Sequence, residues 1–426
     1  MSGARARLAA AQLLMMVLEE RRTLDEALVN TEAFEALSGS DRGFARAMTS
    51  AALRHLGRID AGLAPFLDRP LETAPPPSQA LLRIGAAQAW ILDTPDHAVV
   101  GETVAAAKQW HRAQRATGFL NAVLRKVVAN RDAFDAAPVE AVWPDWLRAL
   151  IVTGLGARAA LSLADAQSHQ PELYLTPKAG NPETLATQVN GRVVSDYSVA
   201  IDSTVIESVP GFEAGDWWVQ DVAATLPARL LAPEPGMTVL DLCAAPGGKT
   251  MQLAATGATV TAIDRSKPRL KRLKQNLWRT GFHGKVETVL ADAAGWQPPH
   301  PVDQILLDAP CSALGTLRRH PEGAWIKSAE DVTRFSDIQE RLLRASIAMV
   351  KPGGSILYCV CSPLPHEGTQ IIDRVMADTA LARTPIRADE VPGFESGLTP
   401  LGDLLTLPNG EFGHDAFYIA RLKRES

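Results

Sequence analysis

Two rhythms of apolar and polar positions divide this chain. Up to about residue 135, apolar residues recur every three or four positions, the spacing that gives a helix one buried face. It predicts helices over Leu24 to Ala36, Asp41 to Leu56, Gln79 to Leu92 and Glu102 to Ala129, with loops at Pro75-Pro-Pro77 and Asp93-Thr-Pro-Asp96. The run Leu8 to Leu18, behind Arg5 and Arg7, imitates a secretory signal. Glu19-Glu-Arg-Arg22 follows it without a small-residue cleavage site, so it reads as the start of an amphipathic helix.

From Gln220 onward short apolar runs alternate with helical stretches, the mark of an α/β fold. Strands are predicted over 238–242, 258–264, 285–290, 303–307 and 354–360, and helices over 248–255, 267–280, 330–350 and 366–379. Leu404 to Leu407 and Ala416 to Leu422, around Pro408-Asn-Gly410, suggest a terminal hairpin-like pair. Between the two regions Gly, Pro and Asn punctuate short β-like pieces, with Glu172-Leu-Tyr-Leu-Thr176 as a strand. The pattern implies an all-α domain over 1–135, a small α+β connector over 136–222, and a Rossmann-like domain over 223–426. In the last, a doubly wound, mostly parallel sheet binds ligands beyond the carboxyl ends of its strands.

Composition narrows the classes. A chain of 426 residues needs more than one core. A net charge of -5 gives no global basic field, so a nucleic-acid partner must be held by local patches. Two such patches exist. Lys108, Arg112, Arg115, Arg125, Lys126 and Arg131 occur with no acid between them, as do eight basic residues from Arg265 to Lys285. Either could also be a solvated helix face. No stretch is long enough to span a bilayer, so no membrane partner is expected. The four cysteines all lie in the second half, which is not a disulfide framework and suits a reducing, cytoplasmic setting.

The chemistry centres on Asp241-Leu-Cys-Ala-Ala-Pro-Gly-Gly-Lys-Thr250, a strand, a tight glycine turn and a helix start. A phosphate-binding loop needs Gly where Cys243 stands, and a dinucleotide fingerprint needs Gly-x-Gly-x-x-Gly, which is not supplied. An S-adenosylmethionine site remains: an acid in the first strand, a small-residue turn, and Asp264 at the end of the second strand, where a carboxylate can take both ribose hydroxyls. Cys243, Cys311, Cys359 and Cys361 all fall at predicted strand ends, which in such a sheet converge on one rim. Their spacing is poor for zinc, so no metal is expected.

Thiols beside a methyl donor suggest one reaction. A pyrimidine C5 carbon is too weak a nucleophile to be methylated until a thiolate adds to C6. A base then removes the C5 proton and the thiol leaves. Either Cys311, in Pro310-Cys311, or Cys361 could be that thiol, and Asp308 is placed to hold the base's edge or the cofactor. A binding protein with a vestigial cofactor fold, or a methyltransferase for another acceptor, are the rival readings. Both thiols and the acids argue against the first, and Asp308-Ala-Pro-Cys311 against the second.

The stretches Asp241 to Thr250, Asp308-Ala-Pro-Cys-Ser312, Arg318-Arg-His-Pro-Glu322 with Trp325, and Cys361-Ser-Pro-Leu-Pro-His-Glu367 together resemble the NOL/NOP/Sun family of RNA cytosine-C5 methyltransferases. Arg42-Gly-Phe-Ala-Arg46, Ala86-Ala-Gln-Ala-Trp-Ile-Leu92 and Phe119-Leu-Asn-Ala-Val-Leu-Arg125 resemble NusB-like RNA-binding domains. The resemblance implies a class I methyltransferase domain acting on small-subunit ribosomal RNA, with RNA contact by the helical domain. It implies Cys361 as nucleophile and Cys311 at product release. It implies S-adenosylmethionine held by Cys243, Ala244, Ala245, Pro246, Gly247, Gly248, Lys249, Asp264, Asp292 and Asp308. The target base must leave any stack, so a single-stranded or flipped cytosine is expected, and a monomer is the default. Three departures stand out: Val360 for Thr, Gly368 for Asn, and Leu175-Thr-Pro-Lys178 for an Arg-Val-Asn stretch.

Overall fold

A computed structural model describes residues 2–179, 181–203, 205–408 and 413–425. The chain forms two compact units, residues 1–170 with 317–329, and residues 171–316 with 330–426.

The first unit is helical. Its elements are α1 (Ser2–Glu20), α2 (Leu24–Asn30), α3 (Glu32–Glu35), α4 (Gly39–Arg54), α5 (Leu56–Leu63), α6 (Pro76–Trp90), α7 (Asp96–Gln109), α8 (Thr117–Ala129), α9 (Asp132–Asp135), α10 (Asp145–Leu155) and α11 (Ala157–Ser168). The run that imitates a signal segment is the spine of this core: its Ala9, Ala10, Leu13, Leu14 and Val17 are fully buried in α1. Each such leucine contributes about 1.5–3 kcal/mol by leaving water. Two predicted helices are each broken in two. Thr31, buried and extended, interrupts 24–36 and caps α3. Trp110 turns into the core and splits 102–129. Neither break carries Pro or Gly, so tertiary packing rather than local chemistry makes it.

The connector expected over 136–222 is not one body. Its helices α10 and α11 pack in the first unit, because Trp143, Leu147 and Ile151 are buried there and the Trp143 indole donates to Gln167. The remainder belongs to the second unit. There β1 (Leu173–Pro177), α12 (Pro182–Val189), β2 (Arg192–Ser195), β3 (Ser198–Ile201) and β4 (Trp217–Val219) form an antiparallel sheet in the order β2-β3-β1-β4.

The main sheet of the second unit is built from β5 (Thr238–Leu242), β6 (Thr259–Asp264), β7 (Val286–Leu290), β8 (Val302–Asp308), β9 (Val350–Val360), β10 (Leu381–Arg383), β11 (Leu404–Thr406) and β12 (Phe417–Arg424). Its order is β10-β12-β9-β8-β5-β6-β7, with β11 on β12. Strands β5 to β9 pair in parallel, and β12 runs antiparallel to β9, β10 and β11. Flanking helices are α13 (Val222–Leu231), α14 (Gly248–Ala255), α15 (Lys267–Arg279), α17 (Ala329–Met349) and α18 (Thr369–Met376). The one-turn α16 (Gly323–Ile326) belongs to the first unit. The expected turn at Asn409-Gly410 lies outside the described residues. No helix among the described residues is long and apolar enough to cross a membrane.

Candidate active site

Parallel register brings the chemistry to one rim. Leu242 pairs with Leu307, Asp264 with Leu290, and Asp308 with Cys359, so the carboxyl ends of β5 to β9 finish together. The turn after β5 is clamped by groups that receive its backbone. Asp264 accepts the Ala245 N–H at 3.1 Å and the Ser266 N–H at 2.8 Å. Asn276 donates to the Pro246 carbonyl at 2.9 Å, and the Arg269 guanidinium donates to the Ala245 carbonyl. Gly247 takes φ +105°, a left-handed conformation that glycine adopts without strain, and α14 begins at once. Behind the turn, Asp241 is fully buried and accepts the Thr250 hydroxyl at 2.5 Å. Burial pushes its carboxyl up to about 7.

A cleft opens beside this turn. Of the ten expected cofactor ligands, Cys243, Asp264 and Asp292 line it. Pro310, Ile338, Leu342, Ala293, Arg269 and Arg341 line it too, and none of these was expected from sequence as a cofactor contact. Ile338 and Leu342 are one turn apart on α17, a spacing that marks a buried face but cannot say what that face meets. Arg341 reaches Asp292 at 3.4 Å. Acids at the ends of β6 and β7 stand above an apolar wall of Ile338, Leu342 and Pro310, a mixture of polar and apolar surface that suits a nucleoside. Burial, then Asp308 and Asp264, push the Cys243 thiol up to about 12, which keeps it protonated.

Lys249 and Asp308 do not line that cleft. Lys249 lies in the first turn of α14, and its ammonium sits 2.8 Å from Asp308 Oδ2 and 5.2 Å over the Phe417 ring. Burial disfavours its charge, but Asp308 and the nearby sulfurs of Cys359 and Cys361 outweigh this and hold the amine firmly protonated. The buried Cys359 thiol faces Asp308 Oδ1 at 3.5 Å, and burial pushes it well above the ordinary thiol range.

Next to this ion pair stand the other two thiols. Cys311 Sγ and Cys361 Sγ are 3.3 Å apart. The Cys311 thiol is held well above its ordinary range, first by its hydrogen bond to Cys361 and then by burial. The two thiols thus share one hydrogen bond, and this contact and burial together disfavour ionisation of Cys311. Two features fix the loops that carry them. Gly315 donates its N–H to the Cys361 carbonyl at 3.0 Å and accepts from Ala416 at 2.9 Å, and a Cβ there would stand 2.0 Å from the Ala416 oxygen.

The second feature is Glu367, which the sequence places in a motif without giving it a role. It is fully buried and accepts the Ser312 N–H at 2.7 Å, the Ser362 hydroxyl at 2.5 Å, Gln339 Nε2 at 3.1 Å and the Ser312 hydroxyl. Ser312 follows Cys311 and Ser362 follows Cys361, so one carboxylate ties both thiol loops together. The spacing Cys361-x₅-Glu367 was the available signal.

Several basic residues read as RNA contacts serve other purposes. Arg269 belongs to the clamp just described, 3.5 Å from Asp264. Arg279 donates to the Phe212 and Trp217 carbonyls at 2.8 and 3.0 Å, joining α15 to the small sheet. Arg318 is buried in the first unit. There Arg54 donates to its carbonyl at 2.7 Å, while Leu24 N–H donates to Glu322 and Arg21 to the Ile326 carbonyl. The departure at Gly368 has a cause, since a Cβ there would lie 2.7 Å from the Tyr418 ring. Among the described residues no cluster of three His, Cys, Asp or Glu could hold a metal ion.

Comparisons with known proteins agree with this geometry. Residues 228–423 match the family model described as 16S rRNA methyltransferase RsmB/F, and residues 4–129 match the NusB family. The chain is 32% identical to the ribosomal RNA small subunit methyltransferase B of Vibrio vulnificus, over 99% of both chains. It is 35% identical to that of Xanthomonas campestris, over 90% of both. The crystal structure of PH0851 superposes with a TM-score of 0.78 over 99% of both chains at 22% identity. NSun6 from Pyrococcus horikoshii does so at 0.57, over 66% of this chain and 98% of that one, at 18% identity. These two likenesses establish the fold. By sequence and fold alike, this chain belongs to the 16S rRNA methyltransferase RsmB/F family.

Proposed function

We propose that this S-adenosylmethionine-dependent methyltransferase methylates the C5 carbon of a cytosine in 16S ribosomal RNA, through a covalent bond between Cys361 and C6. The observation that carries the reading is the pair of sulfurs 3.3 Å apart beside the Lys249–Asp308 ion pair.

Cys361 is the attacking sulfur. Its sulfur is in hydrogen-bond contact with that of Cys311 and lies near the Lys249 ammonium. Addition forms the Sγ–C6 bond and moves the C5=C6 electron pair toward C5. Asp308, fixed by Lys249, can accept from the cytosine amino edge and so orient the ring. Asp264 and Asp292 would hold the cofactor's nucleoside, with the turn Cys243 to Gly248 packed beside it. When bound, S-adenosylmethionine supplies an electrophilic methyl group. A base at the rim takes the C5 proton. The C–H electron pair re-forms C5=C6 as Sγ–C6 breaks, and Cys361 leaves as a thiolate. Cys311 serves this release step.

The ribosomal target is supported by the names of the relatives aligned over nearly the whole chain. Bisulfite mapping of 16S ribosomal RNA from cells with and without the protein tests it. One cytosine should lose its protection when the protein is absent; an unchanged map contradicts the reading.

A further inference from the structure

One face of α15 is a track of like charge that ends in an exposed aromatic ring. Leu270, Leu273 and Leu277 bury the neighbouring face, about a quarter turn away. Lys267, Lys271, Lys274 and Trp278 recur at the spacing that stacks them along one stripe, roughly 16 Å long at 1.5 Å per residue. No acid occurs from Arg265 to Lys285. Trp278 is 68% exposed, an unusual state for the largest apolar side chain. It is not loose, because His283 stacks on it with ring centroids 3.8 Å apart and planes 4° from parallel. One face of the indole is thus backed and the rest is open. Beside it, Lys178 and Lys285 place their ammonium groups 5.4 and 5.8 Å from the Phe282 ring. Lys178 is the end of the stretch that departs from the family pattern.

Packing does not explain a backed but open tryptophan amid five lysines. Single-stranded nucleic acid does: cations follow the phosphates, and a rigid aromatic plane takes a base. We propose that Trp278, held flat by His283, is a stacking platform for an unpaired base of the RNA substrate, with Lys267, Lys271 and Lys274 tracking the adjoining backbone. The proposal rests on the RNA reading above and adds a contact that reading does not contain.

The test measures binding and methylation of a 16S ribosomal RNA transcript by full-length wild type, Trp278→Ala and Trp278→Tyr. Stacking of about 1–3 kcal/mol per base makes Trp278→Ala raise Kd and KM about tenfold. The value of kcat at saturating RNA should stay within twofold, and Trp278→Tyr should recover most of the affinity. Lys271→Glu with Lys274→Glu should also weaken binding and flatten its salt dependence. An affinity of Trp278→Ala within twofold of wild type, while wild type methylates normally, overturns this proposal alone. A defect seen only on protein-containing ribosomal particles also overturns it, and points to a protein partner. Wild type that neither binds nor methylates RNA removes the functional reading together with this one.

Discussion

The sulfurs of Cys311 and Cys361 stand 3.3 Å apart although fifty positions separate them in the chain. Parallel pairing of β8 and β9 sets the approach, and Gly315 and Glu367 complete it from the loops. The arrangement puts both thiols at one point of the rim, in hydrogen-bond contact with each other.

Glu367 should matter for positioning and not for chemistry. In Glu367→Gln an amide N–H₂ faces hydroxyl and N–H donors, leaving one or more unsatisfied at a cost of about 1–3 kcal/mol. Melting of this unit should fall by about 2–12 °C. Loss of register between the thiols should slow methylation by up to about 100-fold, with cofactor affinity, read by calorimetry, unchanged. Unaltered kcat would make Glu367 a packing residue only.

Asp241 imposes a pH dependence on stability. Its carboxyl keeps a proton up to about 7 in the folded chain, well above its ordinary range. Below the ordinary range both states are protonated and no stability is lost. As the pH rises toward 7, the unfolded chain ionises first and stability falls, by up to a few kcal/mol, with the loss complete above 7. Asp241→Asn removes this titration. Its melting temperature relative to wild type should therefore climb between pH 4 and pH 7 and level off beyond. A constant difference across that range would refute the assignment.

In the first unit, Arg54 holds an excursion of the chain. It donates to the carbonyls of Gln167, His169 and Arg318 at 2.8, 3.1 and 2.7 Å. Burial, then the charge of Arg318, pushes its guanidinium down to about 10. Arg54→Ala leaves three carbonyls without this donor and should cost roughly 3 kcal/mol. Limited proteolysis should then cut within residues 317–329, which in wild type should resist cleavage. Equal protection in both proteins would show that other contacts hold it.

Much of this was legible in the residues. Strands β5 to β8 are short apolar runs bounded by turn residues, and they fall within two positions of where those runs predict. The convergence of Cys311 and Cys361 followed from strand ends sharing a rim. What escaped was set by tertiary contact. Trp110 breaks a helix by turning into the core, and no local residue signals it. Arg269 and Arg279 read as surface charge because their acceptors are carbonyls far along the chain. The packing of residues 317–329 with the helical unit depends on Arg54 and Leu24, which lie hundreds of positions away. Glu367 was visible as a motif residue, but its four donors come from three separate segments.

The central claim is that Cys361 attacks and Cys311 serves release, and a denaturing gel of protein incubated with labelled RNA and S-adenosylmethionine tests it most directly. Cys311→Ala should accumulate a slow-migrating covalent protein–RNA band, while Cys361→Ala should give no band and no methylation. A band with Cys361→Ala, or undiminished turnover in that variant, would contradict the account.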